Sequence, residues 1–147
     1  MIGEIRSLFR EYASVLGIDL CFQQFDQELA NLPGDYAPPA GRLYLSRVKG
    51  ESAGCVALRP ITPDTGEMKR LYVRPTFRGK RIGQELVDRT IEEARLIGYG
   101  AILLDTLPSM KSAIAMYRSM GFVETEPYRN NPVEGALFMK YEIGRST

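Results

Sequence analysis

The sequence predicts an α/β (α+β) domain, a mixed, mostly antiparallel central sheet flanked by helices. Three observations carry this reading. Helical and period-two apolar stripes run in the order two helices, three strands, helix, strand, helix, two strands. Short turn segments join the three consecutive strands, which makes them an antiparallel meander, whereas the later strands alternate with helices and so enter a mixed sheet. A chain of 147 residues, 44% hydrophobic and 25% charged, suits one soluble domain over residues 1–147 that buries a core without disulfide or metal.

The elements follow in order. Ile5, Leu8, Phe9, Tyr12, Val15 and Leu16 share one face at helical spacing, so residues 2–16 form a helix closed by Gly17. Residues 25–32 make a second, short helix stopped by Pro33-Gly34, and residues 35–41, with Pro38-Pro39, a loop. Strands are expected at Arg42–Val48, 53–58 and 67–73, parted by Lys49-Gly50-Glu51 and by residues 60–66. Within the third, Met68 to Val73 alternates large apolar with basic or aromatic side chains, as a strand with one buried face does. Leu86, Val87, Ile91, Ala94 and Ile97 line one side of a long helix over 84–98. Ala101 to Leu104 is apolar on both faces, hence a central strand. A helix over 109–120, bearing Ala113, Ile114, Tyr117 and Met120, ends at Gly121, and strands at 122–125 and 136–143 complete the sheet.

Bulk properties exclude several function classes. The net charge is +1, so the whole-protein field favours neither nucleic acid nor an anionic membrane. The longest apolar run, Ala101 to Leu104, is far too short to span a bilayer, and the N-terminus lacks a secretory apolar segment. Cys21 and Cys55 lie in apolar neighbourhoods and form no close pair, which reads as core residues in a reducing, cytoplasmic protein. The chain has no histidine. That removes Ser-His and Cys-His nucleophile pairs and imidazole-bound zinc, and no metal site is expected. Acid–base chemistry must then use carboxylates, tyrosines, lysines, cysteines or water.

Arg78-Gly79-Lys80-Arg81-Ile82-Gly83 opens directly onto the long helix. Free backbone N–H groups and the positive end of a helix dipole converge there, so a phosphate-bearing ligand is the first hypothesis. A solvated basic turn is the bland alternative. Neither the P-loop spacing nor Gly-x-Gly-x-x-Gly occurs, which argues against a nucleotide-binding protein of those kinds.

That loop, preceded by Leu71-Tyr72-Val73-Arg74-Pro75, resembles the pyrophosphate signature of the GNAT superfamily of acyl-CoA-dependent N-acyltransferases. Ala113 to Phe122 is similar to that family's last helix, with its Tyr-x-x-x-Gly-Phe ending at Tyr117, Gly121 and Phe122. Together the two segments span residues 67–125, and the element order extends the likeness to most of the chain. Arg81 stands where the signature usually has its first glycine, and Met110 where many relatives have asparagine. The strand that usually precedes the first helix is missing or very short.

The resemblance implies an enzyme that moves an acetyl group from acetyl-CoA, its co-substrate, to a primary amine by direct attack in a ternary complex. The acceptor it implies is a small molecule, with no nucleic acid or membrane partner and a homodimer left open. A coenzyme-A-binding sensor without turnover is the alternative. Arg78, Gly79, Lys80, Arg81, Ile82 and Gly83 would hold the pyrophosphate. The strand residues Leu71, Tyr72 and Val73 would hold pantetheine amides through their backbone, and Ser112 would contact the coenzyme or cap its helix. Tyr117 matches the acid that protonates the leaving thiolate, since a phenol titrating near ~10 stays protonated beside a thiol near ~8.5. A core tyrosine is its other reading. Glu67 matches a base or amine-binding glutamate, yet direct transfer from an ammonium to an ordinary carboxylate is uphill by about 8 kcal/mol, and a structural strand-end charge is the favoured reading. Asp105 either lines the acceptor pocket or shapes a turn. Asp26, Glu28, Asp35 and Tyr36, within 22–39, favour a cationic acceptor, whereas Arg59, Arg70, Arg129 and Asn130 favour a carboxylate. A zwitterionic amine satisfies both sets.

Overall fold

The structure is a computed structural model that describes residues 1–16, 25–129, 131 and 133–144. The expectations resting on Gly17, Cys21, residues 22–24 and Asn130 lie outside the described residues. Helix α1 spans Ile2–Leu16 and α2 spans Phe25–Ala30. Strands β1 (Arg42–Val48), β2 (Glu51–Thr62) and β3 (Thr65–Val73) follow, then α3 (Ile82–Ile97), β4 (Ala101–Thr106), α4 (Lys111–Ser119), β5 (Val123–Glu124) and β6 (Leu137–Glu142). The element order matches the sequence expectation. Bounds shift at several ends: β2 is longer than 53–58 because its hairpin with β3 continues to the Thr62↔Thr65 pair.

The six strands lie in the order β1-β2-β3-β4-β6-β5. Every neighbouring pair is antiparallel except β3 and β4, which run parallel because α3 carries the chain back across the sheet. One face packs against α3 and α4 through Val56, Leu58, Met68, Leu86, Val87, Ile102, Leu104 and Phe122. The other packs against α1 and α2 through Ile5, Leu8, Phe9, Leu29, Cys55 and Ala57. Each such buried aliphatic or aromatic side chain contributes roughly 1.5–3 kcal/mol over its exposed state.

One sequence expectation needs correcting. Strand β3 does not have a single buried face, since Gly66 through Arg70 and Tyr72 are all buried. Cys55 pairs with Tyr72 and Ala57 with Lys69, so β3 uses one residue more than β2 over this stretch. The extra residue is a bulge, and Arg70 takes the left-handed φ of 59° within it. The polar side chains are covered because α1, α2 and charged partners close over the second face.

Candidate functional site

The site arises where two parallel strands stop pairing. β3 and β4 share only Thr65↔Ala101, Gly66↔Ile102 and Glu67↔Leu103. Beyond that point β3 stays with β2 and β4 stays with β6, so the strands diverge. The edge of β3 from Met68 to Val73 is left without a ladder partner among the described residues. Between the diverging strands lies a cleft open to solvent. Met68, Leu71 and Leu104 form its apolar walls, Tyr12 and Leu16 of α1 close one side, and Tyr117 of α4 closes another.

A 3-10 turn at Pro75–Phe77 connects β3 to the basic loop. Gly79 takes φ +81° and Arg81 φ +61°, two left-handed residues that fold the loop back so that α3 starts at Ile82. The glycine takes this conformation freely, whereas for an arginine it costs about 1–2 kcal/mol. No side chain caps the helix, and its first internal bond runs from Glu85 N to Arg81 O at 3.0 Å. The amides of Ile82, Gly83 and Gln84 therefore receive no side-chain acceptor. Arg78, Gly79, Lys80 and Arg81 are exposed around this opening. A Cβ added to Gly83 would make ordinary van der Waals contact with Met116 Sδ and Val73 Cγ2 at 3.7 Å and with Met116 Cε at 3.9 Å, so a small side chain fits there without a clash.

Tyr117 is 6% exposed and packs against Phe122 with ring centroids 5.5 Å apart. Burial, with a smaller push from Tyr12, holds its phenol well above the ordinary tyrosine range. It is therefore both a buried aromatic and part of the cleft lining. Ser112 is exposed in the first turn of α4. Met110 occupies the N-cap of α4, lines the cleft and accepts a weak bond from Thr106 Oγ1 at 3.7 Å.

Glu67 is fully buried. Its carboxylate accepts from Arg59 Nε at 2.8 Å, Tyr128 Oη at 2.6 Å and Arg129 Nη2. Burial raises its pKa, but Lys69, Tyr128, Arg129 and Arg59 together outweigh that and hold it below the usual carboxylate range. Arg70 leaves the strand toward α2, where Glu28 accepts two bonds from it at 2.9 Å, and it stacks over Phe25. Asp105 lines the cleft and accepts from Asn131 Nδ2 at 3.2 Å. Asp26 and Asp35 are exposed, while Tyr36 is buried against α1 through Phe9.

Sequence reasoning missed Lys69, Tyr128 and Asn131. Lys69 is 6% exposed on the cleft wall, and burial, then the charge of Arg70, push its pKa down to about 7. The signal for it was present: two consecutive basic residues, Lys69-Arg70, in an otherwise alternating strand mark a bulge. Tyr128 and Asn131 sit in a loop without periodicity and carried no signal.

Among the described residues no helix is long and apolar enough to cross a membrane. The family model for the acetyltransferase (GNAT) family matches residues 3–122. An uncharacterised N-acetyltransferase of Schizosaccharomyces pombe is 40% identical over 146 residues, 98% of this chain and 90% of that protein. The N-acetylaspartate synthetase of Danio rerio is 35% identical over 121 residues, 76% of this chain and 43% of its own length. A GNAT family acetyltransferase of Staphylococcus aureus superposes with a TM-score of 0.80 at 20% identity, covering 93% of this chain and 92% of that one. One from Elizabethkingia anophelis, solved with acetyl-CoA bound, has a TM-score of 0.64 at 25% identity over 82% of each chain. With the family model matching residues 3–122 and a 40% identical relative covering nearly the whole chain, the chain belongs to the acetyltransferase (GNAT) family and is an N-acetyltransferase.

Proposed function

We propose that the protein transfers the acetyl group of acetyl-CoA to a primary amine of a small molecule by direct attack in a ternary complex. The observation that carries this reading is the cleft itself. It opens at the last β3–β4 pair, has Tyr117 in its wall, and has on one side a strand edge without a ladder partner. That edge, at Leu71, Tyr72 and Val73, suits the two amides of pantetheine, which need partners once buried. The diphosphate suits the uncapped amides from Ile82 onward, with Arg78, Gly79, Lys80 and Arg81 around it and Ser112 at the neighbouring start of α4.

In this mechanism the amine nitrogen bonds to the thioester carbon, and the C–S bond then breaks. Tyr117 donates its proton to the departing thiolate. Its raised pKa keeps the phenol protonated until the thiolate forms, burial makes the thiolate more basic as well, and the phenoxide left behind regains its proton from water. Glu67 serves as an anchor for Arg59, Tyr128 and Arg129, not as a base. A carboxylate held below its usual range would receive an ammonium proton at a cost above about 8 kcal/mol, so that proton leaves through water at the cleft mouth. The relative named for making N-acetylaspartate supports a small-molecule acceptor. The test is thiol release from acetyl-CoA across a broad panel of amines, with coenzyme binding followed by calorimetry. Binding without turnover on any amine would favour a coenzyme sensor, and no binding at all would refute the site.

A further inference from the structure

The charges around Glu67 are more numerous than its neutralisation needs. One guanidinium would balance a buried carboxylate, yet Arg59 from β2 and Arg129 from the segment after β5 both bind it, with Tyr128 as a third donor. The group keeps one net positive charge, because Arg70 nearby is already matched by Glu28. Both arginine side chains remain reachable, at 29% and 21% exposure, while Glu67 is at 0%. A guanidinium carries five N–H donors in a planar fork shaped for carboxylate. The bonds to Glu67 use Arg59 Nε and Arg129 Nη2, and Arg129 Nε is buried with no hydrogen-bond partner among the described residues. An arginine donor shielded from water and left unpaired is costly unless something fills it.

This group adjoins the cleft rather than lining it: Glu67 directly precedes Met68 and Lys69 of the wall, and Arg129 lies two residues from Asn131, which also lines it. Glu67 belongs to the last β3–β4 pair, and Arg59 is its partner across the β2–β3 ladder. Lys69, two residues further along β3, lines the cleft wall. On the β4 side Asp105 also lines the cleft, and of its two oxygens only Oδ2 takes a hydrogen bond among the described residues, from Asn131. Positive charge thus gathers beside the cleft and on its β3 side, with the Asp105 carboxylate opposite.

We propose that the acceptor is an amino acid or a related small amine bearing a carboxylate, which docks on Arg59 and Arg129 while Asp105 receives the ammonium end before transfer. This rests on the acetyl-transfer reading above and adds its substrate class. The same charges repel polyamines and lysine-rich peptides, which bring only positive charge. Lys69 adds to the attraction for the carboxylate when protonated, and its pKa is lowered chiefly by burial and then by the neighbouring charge of Arg70.

The experiment compares initial rates of thiol release for matched pairs, an amino acid against the amine that lacks its carboxylate, for instance aspartate against β-alanine, then β-alanine against ethylamine. Wild-type kcat/KM should favour the member with more carboxylate by ten-fold or more in at least one pair, through KM. Arg129→Lys, which keeps the charge but loses the fork, and Arg59→Met should each shrink that ratio by ten-fold or more, with acetyl-CoA affinity by calorimetry unchanged. Equal or higher kcat/KM for the carboxylate-free amines in the wild type overturns the inference while leaving acetyl transfer standing. An undiminished ratio in well-folded Arg129→Lys and Arg59→Met removes the arginines from recognition. Failure to release thiol with amines of every class would instead refute the acetyl-transfer reading, and this inference with it.

Discussion

Tyr117 and Arg81 show how differently single residues could be read from the chain. Tyr117 was visible as a tyrosine on an apolar helix face, and the structure gives it both burial and a place in the cleft wall. Tyr117→Phe should cut turnover about 10²–10⁴-fold with coenzyme affinity nearly unchanged. Steady-state kinetics beside calorimetry decides this, and unaltered turnover would remove the phenol from the mechanism. Arg81 looked like a departure that restricts the loop, and it does adopt the left-handed φ of 61°. Arg81→Gly should raise stability by up to about 1 kcal/mol, because relief of the strained backbone exceeds the entropy that glycine adds to the unfolded chain. The same change should weaken acetyl-CoA several-fold through the lost charge. Denaturant titration of both proteins checks the first effect and calorimetry the second. Glu67 was legible as a strand-end carboxylate, but its three partners come from β2 and from a distant loop, and no spacing announces those.

At the scale of elements, the start of α3 is the part most open to test. A Cβ at Gly83 would meet Met116 and Val73 at ordinary contact distance, without a clash. Gly83→Val should weaken acetyl-CoA binding by ten-fold or more while changing stability by less than about 1 kcal/mol, since a helix tolerates valine better than glycine. Equal affinity in a folded variant would mean that the diphosphate lies elsewhere. The element order and most bounds could be read from periodicity because apolar residues must face a core at a spacing set by backbone geometry. The bulge in β3 could not be read as such. It depends on how β3 lies against β2, and its result, Arg70 turned to Glu28 of α2, is a contact between segments far apart in the chain.

For the whole molecule, charge and pH give the sharpest expectation. Lys69 is pushed down to about 7, chiefly by burial and then by Arg70, with Glu67 opposing and Arg129 and Arg59 adding to the push. In the unfolded chain a lysine titrates near ~10.4. Between these values the unfolded state binds more protons than the native state, so this group makes stability rise with pH from about 7 to about 10. Below 7 its penalty is fully present. Lys69→Met should therefore remove that rise, read as the difference between wild type and variant in denaturant titrations at pH 6, 8 and 9.5, where the other groups largely cancel. A difference that stays constant across the three pH values would show that Lys69 is an ordinary charged lysine.

The order of elements, the basic loop before a helix and the tyrosine on the last helix were determined by the sequence alone, because each follows from local periodicity, turn chemistry or the spacing of one short motif. Only the tertiary structure decided that β3 and β4 part after Glu67, that two arginines converge on that glutamate, and that Lys69 loses its solvent. The physical reason is that burial and charge pairing are set by groups distant in the chain, which a sequence pattern does not bring together.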